Sequence, residues 1–183
     1  MMNTISIGEY KTAFGDLVIG STGNELCLCD WKYRTSRMAV DQRIKQYLDA
    51  EYKEKTSAVH TETIKQLGEY FSGERTVFDL PLKMAGTSFQ MKVWNALRAI
   101  PYGKTVSYLD LSRSISGEKA VRAVAAANGA NDIAIIIPCH RVIGQNGKLT
   151  GYAGGLPAKN KLLQLEQQLH GTIQMELFGD IIS

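Results

Sequence analysis

The stretch Ile135-Ile136-Ile137-Pro138-Cys139-His140-Arg141-Val142-Ile143-Gly144 sets a thiol, an imidazole and a guanidinium side by side after an apolar run. The thiolate is the nucleophilic form of cysteine, and basic or cationic neighbours favour it. The run Ile133–Ile137 has the composition of a buried strand, and Pro138, which cannot donate to a sheet ladder, marks its end or bend. Such a strand, delivering Cys139 at its rim, would hold a nucleophile rigidly inside a pocket. A free cysteine is more often a small buried hydrophobe than a reagent, so the chemistry rests on its neighbours. Adjacent residues of an extended segment point to opposite faces. A water between Cys139 and His140 is therefore the expected link. Glu166 lies 27 residues beyond Cys139 amid an apolar stripe, where a carboxylate is either solvated at a helix edge or paired to a base.

Composition bounds the background for that chemistry. The 183 residues are 44% hydrophobic and 21% charged, those of an ordinary globular protein of one generous or two small domains. No apolar run approaches the ~20 residues of a membrane span. Met1-Met2-Asn3-Thr4-Ile5 has neither the charged nor the apolar region of a signal peptide. Three cysteines fit a reducing interior better than a disulfide framework. The expectation is a cytoplasmic protein with no membrane association. The net charge of +3 is unevenly spread: residues 87–165 carry 10 Lys/Arg against 3 Asp/Glu. Such a segment suits phosphates, although a merely soluble basic surface has the same charge.

The elements that must position these groups fall into two halves. Thr4–Tyr10, Leu17–Thr22 and Glu25–Trp31 read as an antiparallel meander with turns at Gly15-Asp16 and Gly23-Asn24. Cys27 and Cys29 should then share one face. With His60 they offer three candidate metal ligands and no fourth, so buried thiols and no metal are expected. Residues 37–51 and 58–72 read as helices, the second ended by Gly73, with His60 on its solvated side. Val77–Leu80 reads as a further strand. Residues 1–86 show no recognisable chemistry and form an α/β scaffold domain, with a linker at 81–87.

In the second half, residues 87–183, Ser88 is the expected cap of a helix carrying Phe89, Val93, Trp94, Leu97 and Ile100 on one face. Tyr108–Ser114, a Gly117-Glu118 turn and Lys119–Asn128 make a helix-turn-helix, a pattern that also serves as plain packing. The second helix is nearly bare, with Ala120, Ala123, Ala125, Ala126, Ala127 and Gly129, and Arg122 is the long cation of its interior. Such smoothness suits either tight helix packing or entry into a DNA minor groove, with Arg122 as a wedge in the base stack. Asn146-Gly147 gives a tight turn, and Gly151-Tyr152-Ala153-Gly154-Gly155 a flexible loop with one aromatic. A last helix runs from about Pro157 to Leu169, and residues 170–183 form a tail that could dock through Leu177 and Phe178.

Pro138-Cys139-His140-Arg141-Val142, with Val106-Ser107-Tyr108, the Arg122 helix, Asn131 and Glu166, resembles the O6-alkylguanine-DNA alkyltransferases. These are methylated-DNA–protein-cysteine methyltransferases, repair proteins that move an alkyl group from damaged guanine onto their own cysteine. The resemblance is close over residues 88–169 and topological over 1–87. It implies an α/β fold: a small ribonuclease-H-like α/β domain, then a mostly helical, winged-helix-like helix-turn-helix domain. It implies Cys139 as acceptor and His140 and Glu166 as a relay through water. Tyr108 would serve the base, and Asn131 would be the hinge that ties the helix-turn-helix to the active-site segment. Arg122 would be the finger filling the flipped base's place, with Ser107, Tyr108, Lys119, Ala123 and Ala127 beside DNA. Tyr152, Ala153, Gly154 and Val142 would line the base pocket, and many members have serine where Ala153 stands. A monomer acting once on duplex DNA carrying O6-alkylguanine, through phosphates and the minor groove, needs no cofactor, because the lesion is the alkyl donor. A turnover cysteine hydrolase has no use for the alanine-rich Arg122 helix. A lesion-binding relative would lack the thiol, and a plain helix-turn-helix regulator would leave it idle.

Overall fold

The computed structural model describes residues 3–179, and side chains as far as Leu169. A four-stranded sheet comes first. Strand β1 (Asn3–Thr12) pairs antiparallel with β2 (Gly15–Thr22), which pairs antiparallel with β3 (Glu25–Trp31). Helix α1 (Arg37–Leu48) then crosses to β4 (Ala50–Glu54), which runs parallel to β1 and completes the order β3-β2-β1-β4. The meander is as expected; β4 is not. The helix expected over 37–51 stops at Leu48, because Asp49 adopts a left-handed conformation (φ 45°) that closes it. The next five residues, three of them charged, carry too little apolar alternation to read as a strand.

Three other expectations change here. Gly20 pairs with Leu28 and Ser21 with Leu26, so Cys27 is the extra residue of a β-bulge. Cys27 therefore packs with Ile5 and Ile44, while Cys29 packs with Leu17 and Ile133 on the other side. The two thiols do not share a face. Among the described residues no three His, Cys, Asp or Glu side chains gather as metal ligands. His60 is 3% exposed rather than solvated, its Nε2 3.0 Å from the Ser6 carbonyl, on α2 (Ala58–Ser72). Val77–Leu80 is irregular. Pro81 has no N–H to extend a ladder, and the segment touches β3 through a single Leu26–Leu82 bridge.

The second half is helical. Helix α3 (Ser88–Arg98) is capped by Thr87, not Ser88: Thr87 Oγ1 accepts from Gln90 N while the Gln90 side chain accepts from Thr87 N. Strand β5 (Val106–Ser107) leads into α4 (Tyr108–Ile115), whose cap Ser107 accepts from Asp110 N. Gly117, at φ 86°, makes the turn. The second helix of the pair opens as a 3₁₀ turn, Glu118–Ala120, and continues as α5 (Val121–Gly129). Strand β6 (Val142–Ile143) pairs with β5 in parallel. Helix α6 runs Gly155–Gly179, longer at both ends than expected. The expected docking of Leu177 and Phe178 lies outside the described side chains.

One apolar core joins the halves, running from Leu17, Cys29 and Tyr70 through Trp94 and Val124 to Ile133–Ile137 and Leu162. Fully buried Trp94 anchors it, donating from Nε1 to the Ala127 carbonyl at 2.8 Å. Truncating such a tryptophan to alanine costs about 3–5 kcal/mol. Among the described residues no helix is long and apolar enough to cross a membrane.

Candidate active site

Residues 133–137 do not form the expected strand. Ile133 bridges Cys29, Ala134 bridges Ile137, and the turn between them puts Ile135 at φ 72°. A β-branched residue in that region is strained by about 1–3 kcal/mol, and such strain is held where packing over-determines the backbone. Here Ile135 and its neighbours are all buried. The turn shortens the path, so Cys139 arrives on a 3₁₀ turn, Cys139–Arg141, rather than at a strand rim.

Asn131 braces that turn. Its Nδ2 donates to the Ile137 carbonyl at 2.8 Å and to Cys139 Sγ at 3.1 Å, while its Oδ1 accepts from Ile133 N at 3.1 Å. Asn131 thus joins the end of α5 to the thiol. From the first half, Arg34 donates to the Asn131 and Gly129 carbonyls and to Asp30. Burial pushes the Cys139 thiol up to about 11, the Asn131 donor being the largest opposing influence. The resting sulfur is therefore a thiol, and Arg141 does not activate it, because Arg141 is turned away.

Arg141 points instead at a buried carboxylate, Glu166. Glu166, fully buried, accepts from His140 Nε2 (2.8 Å), Arg141 Nε (2.9 Å), Arg141 Nη2 (3.0 Å), Tyr70 Oη (2.7 Å) and Gly103 N (3.1 Å). Burial opposes its charge, but the His140 and Arg141 donors hold the carboxyl down, at about 2. Burial also pushes His140 down, which Glu166 only partly offsets. A neutral imidazole facing an ionised carboxylate carries its proton on Nε2. Nδ1 is then a bare lone pair, and it has no hydrogen-bond partner among the described residues. The sequence left Glu166 either solvated or paired to a base, and the buried pair is what forms.

Cys139 opens into a cleft of about 740 Å³ lined by Arg34–Ser36, Tyr108, Val121, Arg122, Asn128 and the Thr150–Ala153 loop. Tyr108 accepts from Asn128 Nδ2 at 3.3 Å, and burial pushes its hydroxyl up, so it stays a donor. Arg122 stands exposed on the cleft's helical wall. Among the described residues neither Arg122 nor Lys119 makes an ion pair, whereas Arg113 is held by Asp110 (3.2 Å) and Glu118 (2.7 Å).

Three expected positions are corrected. Ala127 is 4% exposed and packs inward on Trp94, so the outward alanines of α5 are Ala123 and Ala126. Val142 is fully buried; its carbonyl accepts from Lys159 rather than its side chain lining the cleft. Gly154 sits behind the loop, where a Cβ would lie 2.5 Å from the Trp31 indole. Tyr152 and Ala153 do line the cleft, and Ser107 caps α4 beside it.

Residues of the site that sequence reasoning missed are Tyr70, Arg34, Arg141 as a Glu166 partner, and Lys159. The Lys159 ammonium, fully buried, donates to the Val142 carbonyl at 2.6 Å and the Thr150 carbonyl at 2.7 Å, pinning both ends of the loop above Cys139. Burial lowers it to about 8. A lysine among apolar positions of a helix was the available signal.

Comparisons with known proteins place this geometry. Residues 88–168 match the family model "6-O-methylguanine DNA methyltransferase, DNA binding domain", and residues 5–84 match the model of its ribonuclease-like domain. A methylated-DNA–protein-cysteine methyltransferase of Mycolicibacterium paratuberculosis is 53% identical over 63% of this chain and 69% of its own. One from Methanosarcina acetivorans is 57% identical over 57% and 67%. The Mycobacterium tuberculosis O6-methylguanine methyltransferase crystal structure superposes with a TM-score of 0.74 at 39% identity, over 90% of this chain and 93% of that one. The structure of M. tuberculosis OGT in complex with DNA gives 0.75 at 39%, over 91% and 94%.

Proposed function

This chain belongs to the 6-O-methylguanine DNA methyltransferase family, and we infer that it repairs DNA by direct damage reversal, moving an alkyl group from guanine O6 onto Cys139. Its fold is the two-part α/β arrangement of that family, and DNA is its partner. The observation that carries the reading is the Cys139 thiol. It sits at the floor of a cleft whose wall is a smooth helix bearing Arg122, which makes no ion pair among the described residues.

The steps follow from the groups present. An alkyl carbon on O6 is out of reach inside a duplex, so the base must leave the stack. The helix-turn-helix of residues 108–129 lies against phosphates at the minor groove, and Arg122 fills the vacated place. The Cys139 proton passes, through a bridging water, to His140 Nδ1, whose imidazolium is stabilised by Glu166. The sulfur attacks the alkyl carbon in line, the carbon–O6 bond breaks, and its electron pair leaves with guanine. Tyr108 gives its proton to the departing base, so guanine leaves neutral, and the proton held by His140 returns through water to the Tyr108 oxygen, leaving both residues as they began. The product thioether is a poor leaving group, so each chain acts once. The lesion supplies the alkyl group.

We assign residues 1–86 to the first domain and 87–183 to the DNA-binding and acceptor domain, acting as a monomer in the cytoplasm, where three buried thiols stay reduced. O6-alkylguanine is the substrate, and O4-alkylthymine is a candidate second one.

Intact mass after mixing with excess duplex carrying one O6-methylguanine tests the reading. A gain of one methylene per chain, mapped to the Cys139 peptide and abolished by Cys139→Ala with DNA binding retained, is the expected result. Tight lesion binding without a mass gain would make this a lesion-binding relative and remove the relay.

A further inference from the structure

The carboxylate that polarises His140 is shared with a residue from the other half of the chain. Tyr70 on α2 donates its hydroxyl to Glu166 Oε1 at 2.7 Å, and His140 Nε2 meets the same oxygen at 2.8 Å. We propose that Tyr70 is a positioning residue that tunes the basicity of His140, by competing for the oxygen that would otherwise be fully available to the imidazole. The proposal rests on the alkyl-transfer reading and gives the first domain a part in the chemistry.

Packing alone does not account for the hydroxyl. The Tyr70 ring is fully buried against Phe71, Phe78 and Tyr102, contacts that phenylalanine would make equally well. A buried phenol needs a partner, and this one takes the carboxylate. Nor does that interface draw every phenol to Glu166: the Tyr102 hydroxyl, on the ring next to Tyr70, has no hydrogen-bond partner among the described residues. Burial and the Glu166 charge raise the Tyr70 hydroxyl well above its ordinary value, so it is a donor at every working pH.

The other groups facing the pair are the same in the wild type and in a Tyr70 variant, including Lys159, which loses its proton near pH 8 in both. Arg141 adds donors to Glu166 from the same turn, Lys159 adds positive charge from α6, and Tyr152 presents its ring edge-on to His140 at 6.4 Å. Removing the Tyr70 hydroxyl leaves these in place and returns electron density to Oε1. The His140 Nε2–H bond then strengthens and the ring holds a proton more tightly. Since His140 must be neutral to accept the Cys139 proton, the acid limb of the transfer rate moves to higher pH.

The test is the single-turnover rate of methyl transfer from duplex O6-methylguanine between pH 5.5 and 9, for the wild type and Tyr70→Phe. The expected result is an acid limb displaced upward by about half to one pH unit. At the acid end of the range the variant would then be slower, by up to about three- to tenfold, and it would converge with the wild type above pH 8. Replacing Tyr70 with 3-fluorotyrosine, a stronger donor of nearly the same shape, should move the limb the other way, and it covers the case in which Tyr70→Phe does not fold. A loss of rate uniform across pH, or limbs that superimpose, overturns the proposal and leaves Tyr70 structural. A wild type that transfers nothing fails the alkyl-transfer reading instead. In that case the NMR titration of the His140 ring in both proteins decides the Tyr70 question by itself.

Discussion

Asn131 Nδ2 lies 3.1 Å from Cys139 Sγ while donating to the Ile137 carbonyl at 2.8 Å. One amide thus fixes the turn that presents the sulfur and opposes the rise that burial imposes on the thiol. A hydrogen bond to a charged group contributes about 1.5–3 kcal/mol, and here it is strongest to the thiolate. Asn131→Ala should lower the transfer rate by about 10- to 100-fold. Asn131→Asp, which sets a carboxylate against the forming thiolate, should lower it further. Affinity for undamaged duplex should be nearly unchanged in both. Single-turnover rates with a parallel gel-shift titration measure the two effects separately.

Glu166 makes stability depend on acid. Its folded carboxyl sits at about 2, below the ~4.3 of an unfolded chain, so its contribution is complete above pH 4.3 and lost as pH falls toward 2. The size is on the order of 3 kcal/mol. His140, lowered by burial, adds in the same direction, because the unfolded chain gains a proton near pH 6.5 that the folded chain resists. Glu166→Gln should therefore be several kcal/mol less stable than wild type at pH 7, with Arg141 left unpaired. The gap should close as pH falls from 4.3 toward 2. Urea unfolding across that range reads it directly, and a gap independent of pH would mean that Glu166 is not ionised in the fold.

Much of this molecule was legible in order of locality. The meander, the helix-turn-helix and the α6 stripe announce themselves through periodicity and turn residues close in sequence. The motif Pro138-Cys139-His140-Arg141 marked the site. What stayed hidden depends on partners far along the chain. Tyr70 reads as one more apolar residue of α2, because nothing local says that its hydroxyl meets a carboxylate 96 residues later. Arg34 reads as loop charge until its guanidinium is found on the Gly129 and Asn131 carbonyls. The Ile133–Ile137 run departs from its local pattern for the opposite reason. Its composition favours a strand, but among the described residues outside the run it bridges only Cys29, and it folds back on itself at Ile135. The bulge at Cys27 likewise belongs to the pairing with β2, not to β3 alone.

Lys159 holds the Val142 and Thr150 carbonyls at 2.6 and 2.7 Å from a fully buried position. Methionine has similar length and no donors, so Lys159→Met strands two carbonyls and frees the loop that carries Tyr152 and Ala153. Each stranded polar group costs about 1–3 kcal/mol. The variant should lose on the order of 2–4 kcal/mol of stability and show faster amide exchange at residues 143–151. Exchange that rises evenly through the molecule would place the effect on global stability and not on this loop.

Arg122 and the alanines beside it test how the helix meets DNA. If Arg122 fills the place of the displaced base, its loss matters only where there is a stack to fill. Arg122→Ala should slow transfer from a duplex by about 10- to 100-fold, the scale of a few kcal/mol of unstacking. It should slow transfer from the same lesion in a single strand far less. Ala126, exposed on that helix, and Ala127, buried against Trp94, separate contact from folding. Ala126→Glu should weaken duplex binding at unchanged stability, because it sets a carboxylate against phosphates. Ala127→Leu should overpack the core by about 1–3 kcal/mol and lower the melting temperature. Ala126→Glu binding DNA as well as wild type would take this face of α5 off the duplex, and the role given to Arg122 would go with it.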